Sequence, residues 1–228
     1  MSKPTISLIH PSRSRPAQAA ATAKAWLSSA KNPQDIEYMV SLDSSDPKLY
    51  MYTSIMSSDR SFCVQDNNNA IEAINNVACD ASGDIFIVVS DDFSCPFHWD
   101  VALLEALEGK SDYLVKTKDG IQKTLITLPI MDRVYYTRFG YIYNPAYQHM
   151  FCDQEMTAVG HMLGRVIDVD ITFKHNHYSI GGVVKDAINF KNDATWNQGQ
   201  QVYNHRLLSG FGLKEDEIVN SYNSIVWH

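Results

Sequence analysis

Two adjacent acidic side chains, Asp91 and Asp92, follow a run of five apolar residues, 85–89, with only Ser90 between. Such a run is typical of a strand that is buried on both faces of a mostly parallel sheet. Ligands of open α/β sheets bind at the carboxyl ends of the strands, and neighbouring carboxylates repel each other there unless a cation or hydrogen-bond donors compensate. Mg²⁺ and Mn²⁺ take oxygen ligands, so the pair predicts a divalent metal site. The alternative is a solvated turn in which an Asp caps a helix.

Two histidines, His175 and His177, follow a predicted late strand. Residues two apart in an extended segment point to the same side. These imidazoles can therefore supply a metal ligand and a contact to phosphate or another ligand. The alternative is a pair of surface histidines.

Three further acidic residues stand at the ends of predicted elements. Asp153 and Glu155 open a predicted helix after the aromatic stretch 141–151. An Asp at a helix start is usually an N-cap, but near a metal and under aromatic residues it can act as a general base. Asp43 follows the second predicted strand, where acidic residues of nucleotide-binding α/β folds contact the ribose or base; the alternative is again a turn.

The segments that position these residues alternate between strand and helix in the first half of the chain, as a doubly wound sheet requires. Apolar runs predict strands over 5–9, 36–42, 61–65 and 85–89, and helical periodicity predicts helices over 17–30, 67–79 and 99–107. The second half predicts strands over 113–115, 125–128, 166–169 and 171–173, and helices over 153–163 and 189–208. We expect one α/β domain over 1–228, with a mostly parallel central sheet flanked by helices. Its first half would be 1–110, and its second half, with a C-terminal helix, 111–228.

Composition and missing motifs argue against several classes of protein. With 228 residues, 45% of them hydrophobic, the chain can bury one substantial core. No apolar run approaches the roughly 20 residues of a membrane helix, and the N-terminus has no signal-peptide core, so a cytoplasmic protein without a membrane span is expected. A net charge of -7 disfavours a broad nucleic-acid surface. The four cysteines form no CxxC pair and are expected to be reduced.

The chain also lacks GxGxxG, GxxxxGK[ST], GxSxG and HExxH. Their absence argues against dinucleotide oxidoreductases, P-loop NTPases, α/β-hydrolases and zincins.

Taken in order, the polar segments resemble the family 2 type of GT-A glycosyltransferases. The matching segments are 6–13, 41–44, 67–70, 83–92, 151–155 and 173–177. The resemblance covers about residues 5 to 178 and depends on the order and spacing of the whole set. The usual family motif has an acidic residue two positions before its last Asp. This chain departs from that pattern, since it has Val89 and Ser90 ahead of the Asp pair. It departs again at Cys152, where the usual late pair is Glu-Asp.

The resemblance implies a metal-dependent enzyme that transfers one sugar, with inversion, from a nucleotide-diphospho-sugar to an acceptor hydroxyl. UDP-hexose would be the usual donor. Nucleotide and donor contacts are implied for Pro11, Arg13, Asp43, Asn68 and Asp91. Ligands to Mn²⁺ or Mg²⁺ are implied for Asp92 and for one of His175 and His177. The base would be Asp153 or Glu155. The resemblance also implies that 1–110 is the nucleotide- and metal-binding half of the domain and 111–228 the acceptor-side half. The acceptor stays open among glycans, lipid-linked sugars, proteins, small molecules and modified nucleic-acid bases.

Two other functions compete with this hypothesis. A sugar nucleotidyltransferase has a similar sheet but usually carries a Gly- and Arg-rich loop after the first strand, and residues 11–16 contain no Gly. A catalytically inactive relative would bind a nucleotide sugar without transferring it.

Overall fold

The computed structural model describes residues 5–56, 60–181 and 184–221. Its strands are β1 (Ile6–Ser12), β2 (Ile36–Asp43), β3 (Ser61–Gln65), β4 (Ile85–Val88), β5 (Phe93–Ser94), β6 (Leu114–Lys118), β7 (Ile130–Asp132), β8 (Val166–Thr172) and β9 (Lys174–His175). Its helices are α1 (Pro16–Ser29), α2 (Leu49–Ile55), α3 (Ala70–Ala78), α4 (Trp99–Ala106), α5 (Arg133–Phe139), α6 (Cys152–Met162), α7 (Ala187–Asp193) and α8 (Trp196–Leu208).

Seven strands form one sheet in the order β3-β2-β1-β4-β7-β6-β8. Strands β3, β2, β1 and β4 are parallel to one another, β6 and β8 are parallel, and β7 runs antiparallel to both of its neighbours. The fold is therefore mixed α/β with a mostly parallel central sheet flanked by helices, which confirms the predicted fold class. In the register, Ile9 lies beside Val88, and Ser12 lies beside Leu42. The segments that follow β1, β2 and β4 thus emerge at one edge of the sheet.

The apolar run of β4 is buried on both faces of this sheet. Ile87 packs with Leu8 and Trp26 in one core cluster, whereas Phe86 packs with Ile9 in the other. Side chains alternate across a strand, so the continuous run supplies both clusters in turn. This is the arrangement that a central parallel strand predicts.

The strand predicted over 125–128 is wrong. Ile126 and Leu128 are buried, as an apolar run suggests, but the Ile126 N–H donates to the Thr157 hydroxyl on α6 at 3.0 Å rather than to a neighbouring strand. The antiparallel strand of this region is β7, which starts at Ile130. Periodicity also missed α5, which follows β7 directly, and α2.

The single helix predicted over 189–208 is two helices, α7 and α8. Asp186 starts α7 with a capping box, and its carboxylate accepts from the Ile188 and Asn189 N–H groups. The chain then turns at Ala194 and Thr195 before α8 begins. The two late strands predicted over 166–173 form one strand, β8. The remaining predicted elements are present, with ends that differ by a few residues.

All four cysteines are free thiols. In the part of the chain that the structure describes, no helix has both the length and the apolar character needed to cross a bilayer.

Candidate active site

A carboxylate and an imidazole meet where β4 leaves the sheet. Asp92 directly precedes β5, and β5 pairs with β9 so that Phe93 lies opposite His175. This pairing brings His175 Nε2 to 3.2 Å from Asp92 Oδ2, although 83 residues separate them. The Asn176 N–H also donates to the Asp92 carbonyl at 2.7 Å, and the Phe93 ring stacks on the His175 ring at 4.2 Å. Backbone pairing and ring stacking thus fix the geometry of the pair.

The surroundings of Asp92 keep its carboxylate ionised. Burial alone would raise its pKa, but hydrogen bonds from His175 and Ser90 outweigh burial and hold the pKa below its usual range. The Ser90 hydroxyl donates to Asp92 Oδ1 at 2.6 Å. The side chains of Asp92 and His175 stay 20% and 16% exposed, so a ligand from solvent can reach them.

This pair offers one oxygen and one nitrogen to a cation. Within residues 5–56, 60–181 and 184–221, no group of three His, Cys, Asp or Glu side chains converges as a complete metal site. His177 stands beside the pair, with ring centroids of His175 and His177 5.0 Å apart, and its Nδ1 bonds the Ser179 hydroxyl at 2.7 Å. Carboxylate oxygen and imidazole nitrogen both suit Mn²⁺ as ligands. The pair therefore supplies two ligands of the kinds that a divalent cation such as Mn²⁺ accepts.

Asp91 has different partners from Asp92. Its Oδ1 lies 3.0 Å from Nε2 of His10 on β1, and its Oδ2 lies 4.0 Å from Nη1 of Arg15. The two adjacent carboxylates therefore point to different groups, with Asp91 set against the end of β1 and Asp92 against β9.

Arg15 joins this edge of the sheet to α7. Its guanidinium donates to both oxygens of Asp186 at 2.7 and 2.6 Å, and also to the Asn189 side chain at 3.2 Å. Hydrogen bonding and charge pairing with Arg15 lower the pKa of Asp186 to about 2, although burial opposes the shift. Bidentate pairing of this kind fixes the orientation of an arginine.

A second arginine–carboxylate pair lies at the end of β2. Arg13 Nη1 lies 2.6 Å from Asp43 Oδ2, and Asp43 Oδ1 accepts from the Ser45 N–H at 2.8 Å. Burial would raise the pKa of Asp43, but hydrogen bonds from Ser45 and Arg13 hold it below the usual range. Pro11 is half-buried near the end of β1. The structure thus brings Pro11, Arg13 and Asp43 to the same edge.

Asn68 lies on the exposed loop between β3 and α3. Its backbone N–H and its side-chain amide both donate to Glu72 Oε2 at 2.9 Å. In this structure its contacts are with the first turn of α3.

Asp153 lies half-buried in the first turn of α6. Burial raises its pKa to about 6, against hydrogen bonds from the backbone and the nearby charge of His175. A carboxyl group in these surroundings exchanges a proton near neutral pH, and it lies close enough to His175 for the charge of that ring to act on its pKa.

Glu155 lies on the same turn but is buried among other partners. Arg206 on α8 donates to its two oxygens at 2.7 and 2.8 Å, and the Tyr147 hydroxyl donates to it at 2.7 Å. Both oxygens are thus engaged in joining α6 to α8.

Sequence reasoning missed His10, Arg15 and Asp186 as members of this site. His10 precedes Pro11 at the end of an apolar strand, and a histidine inside such a run was an available signal. Arg15 lies two residues after Arg13, which the family resemblance did assign to the site. Asp186 carried no sequence signal beyond its capping of α7.

The fold is that of known sugar-transferring enzymes. No protein-family model matches this chain, and no curated protein matches it in sequence. A mannosyltransferase, PcManGT from Pyrobaculum calidifontis in complex with GDP-Man and Mn²⁺, has a TM-score of 0.58 and 13% identity, covering 77% of this chain and 57% of its own. TarS 1-349 of S. aureus, in complex with UDP, has a TM-score of 0.60 and 14% identity, covering 74% and 59%.

A third solved structure is similar over a comparable range. Glucosyl-3-phosphoglycerate synthase from Mycobacterium tuberculosis, in complex with Mn²⁺, UDP and phosphoglyceric acid, has a TM-score of 0.55 and 16% identity, covering 75% of this chain and 70% of its own. The chain spans about three fifths of the length of the first two proteins. The central sheet and its helices match the GT-A glycosyltransferase fold.

Proposed function

We propose that this chain is a metal-dependent glycosyltransferase that moves one sugar from a nucleotide-diphospho-sugar to an acceptor hydroxyl. The observation that carries this proposal is the Asp92–His175 pair, 3.2 Å apart at the carboxyl edge of the sheet. Its support comes from the fold, since solved structures of this fold are described with UDP or GDP-Man and Mn²⁺.

In this proposal Asp92 and His175 hold Mn²⁺ or Mg²⁺. The imidazole nitrogen favours Mn²⁺, because Mg²⁺ prefers an all-oxygen octahedral shell. When bound, the metal supplies positive charge that stabilises the departing nucleoside diphosphate. His177, whose ring centroid lies 5.0 Å from that of His175, would contact the same diphosphate.

The nucleotide would lie along the ends of β1 and β2. The Asp43 carboxylate, which Arg13 holds at 2.6 Å, would accept a hydrogen bond from ribose or base, as acids at this strand end do in nucleotide-binding folds. Pro11 would line the same pocket, and Arg15 would present positive charge to the phosphates. Asn68 is the most peripheral of the donor contacts that we propose.

Asp153 is our choice for the base. The acceptor hydroxyl attacks the anomeric carbon while the bond from that carbon to the diphosphate oxygen breaks, and Asp153 takes the hydroxyl proton. With a pKa of about 6, Asp153 is largely ionised at pH 7 and is more basic than an ordinary aspartate. Glu155 is unsuited to this role because Arg206 and Tyr147 occupy its oxygens.

Release of the nucleoside diphosphate tests the proposal. Purified protein is incubated with UDP-glucose, other UDP-hexoses and GDP-mannose, with and without Mn²⁺, and free diphosphate is measured over hours, because transferases slowly transfer to water. We expect Mn²⁺-dependent release of UDP or GDP that Asp92→Asn and Asp153→Asn abolish. Asp80→Asn, an exposed aspartate after α3, is the matched control and should behave as wild type.

Each other result has a defined meaning. Binding of a nucleotide sugar without release would indicate an inactive binding module. Pyrophosphate-dependent formation of a nucleoside triphosphate would indicate a sugar nucleotidyltransferase. Neither binding nor release with any of these donors would refute the proposal.

A further inference from the structure

A fully buried histidine, His10, lies near the carboxyl end of β1. His10 has no exposed surface, although its ring carries two polar nitrogens. A polar group buried without a partner is costly, and both nitrogens of His10 have partners. Nδ1 lies 2.8 Å from the Tyr38 hydroxyl on β2, and Nε2 lies 3.0 Å from Asp91 Oδ1 beyond β4.

Asp91 determines that Nε2 of His10 carries a hydrogen. A carboxylate only accepts hydrogen bonds, so Nε2 must donate the hydrogen that Asp91 receives. The Tyr38 hydroxyl, whose pKa burial raises far above its usual value, keeps its proton and bonds Nδ1 from the other side of the ring. Both ring nitrogens are thus satisfied, and the hydrogen on Nε2 is the one that holds Asp91.

The orientation passes from Asp91 to Arg15. With Oδ1 held by His10, Asp91 presents Oδ2 at 4.0 Å from Arg15 Nη1. The opposite side of the same guanidinium is bound to Asp186 at 2.7 and 2.6 Å. Hydrogen bonds thus join Tyr38, His10 and Asp91, and Arg15 lies beyond them as a charge partner of Asp91 at the carboxyl edge of the sheet.

We propose that His10 is a positioning residue that fixes Asp91 and so keeps its second oxygen turned toward the guanidinium of Arg15, beside the Asp92–His175 pair. Asp91 then adds a second charge partner to an arginine that Asp186 already holds, and Asp92 is the member of the acidic pair that bonds His175. The effect of His10 on nucleotide binding rests on the proposed function, whereas its ring state and its bond to Asp91 do not.

The first test measures the ring itself. The protein is labelled with ¹⁵N at its 8 histidines, and long-range ¹H–¹⁵N correlations are recorded near neutral pH, with His10 assigned by its loss in His10→Gln. We expect a ring that carries a hydrogen on Nε2, and a changed His10 signal in both Tyr38→Phe and Asp91→Asn. A ring without a hydrogen on Nε2, or one that is unaffected by both substitutions, would overturn the proposal whatever the protein binds.

The second test asks whether His10 acts through Asp91. Affinity for UDP with Mn²⁺ is measured by calorimetry for His10→Leu, Asp91→Asn and the double variant. We expect about tenfold weaker binding in His10→Leu, which is the order of magnitude of one lost buried hydrogen bond, and no further loss when Asp91→Asn is combined with it. Equal and additive losses would show that His10 does not act through Asp91.

A conservative variant and a control separate positioning from folding. In His10→Gln the side-chain amide can still donate to Asp91, so we expect it to recover most of the affinity that His10→Leu loses. His161→Gln, at a half-buried histidine on α6, should bind as wild type. Equal losses in His10→Gln and His10→Leu, with unchanged unfolding temperatures, would contradict the proposal. If the wild type binds no nucleotide, the proposed function fails and the ring spectrum alone decides the role of His10.

Discussion

Replacing Asp153 with Asn should stabilise the protein, and the gain should grow with pH. Burial raises the pKa of this carboxyl from 3.8 to about 6, so the folded protein holds the proton more tightly than the unfolded chain does. The stability that comes from this proton is complete below pH 3.8 and is lost as the pH rises through 6. An Asn side chain stays neutral at every pH, so the Asp153→Asn protein does not lose this stability as the pH rises.

The size of the effect follows from the two pKa values. A shift of about 2 units corresponds to about 3 kcal/mol when the group is ionised in both states. Linkage then gives an advantage for Asp153→Asn of about 1 kcal/mol at pH 4.5 and about 3 kcal/mol at pH 8. Other titrating groups cancel, because both proteins share them.

Urea denaturation at pH 4.5 and pH 8 measures this difference directly. Asp186→Asn is a control of opposite sign, since Arg15 lowers the pKa of Asp186 to about 2 and a neutral side chain there forfeits that pairing. Asp186→Asn should therefore lower stability at pH 8. An Asp153→Asn protein that is no more stable than wild type at pH 8, or whose advantage is the same at both pH values, would refute the reasoning.

Three further outcomes follow from the structure. Arg206→Met should lower the free energy of unfolding in urea by about 3–5 kcal/mol, because it leaves the buried Glu155 carboxylate without its arginine. Adding Glu155→Gln should recover part of the loss, and no loss in Arg206→Met would show that the pair is dispensable. Asp186→Ala should tighten UDP binding, measured by calorimetry, because the Asp186 carboxylate competes with phosphate for Arg15. An exposed ion pair is worth up to about 1 kcal/mol, so the gain should be up to about fivefold, and weaker binding would contradict this competition. The kcat/KM of the proposed transfer reaction should rise with pH through about 6 as Asp153 loses its proton. A profile that is flat from pH 5 to 8 would exclude Asp153 as the base.

Local patterns were enough to predict the first half of the fold. The apolar run 85–89 predicted a central strand, and every side chain of β4 is indeed buried. The position of the Asp pair at the end of that strand followed from the sequence, because the pair comes directly after the apolar run and Ser90. The helix of 133–139 was missed even though its caps were local, with Asp132 accepting from the Tyr135 N–H and Gly140 adopting a positive φ of 72°. A search for caps in addition to periodicity would have found it.

The parts that sequence did not predict depend on distant contacts. The run 125–128 is apolar because it is buried, yet its hydrogen bonding is set by Thr157, 31 residues from Ile126. His10 owes its role to Asp91, 81 residues away, and no local pattern encodes that approach. The family resemblance predicted that Asp92 and His175 belong to one site, and in the structure their side chains lie 3.2 Å apart. Their roles as metal ligands stay a prediction.

The central claim is that Asp92 and His175 hold a metal that anchors a nucleoside diphosphate. Thermal unfolding of wild type and Asp92→Asn with millimolar UDP, with and without Mn²⁺, tests it most directly, since a ligand bound with micromolar affinity stabilises the folded state by roughly 4 kcal/mol at that concentration. We predict a stabilisation of wild type by UDP that depends on Mn²⁺, and loss of the Mn²⁺-dependent part in Asp92→Asn. An equal Mn²⁺-dependent stabilisation in both proteins would contradict the claim.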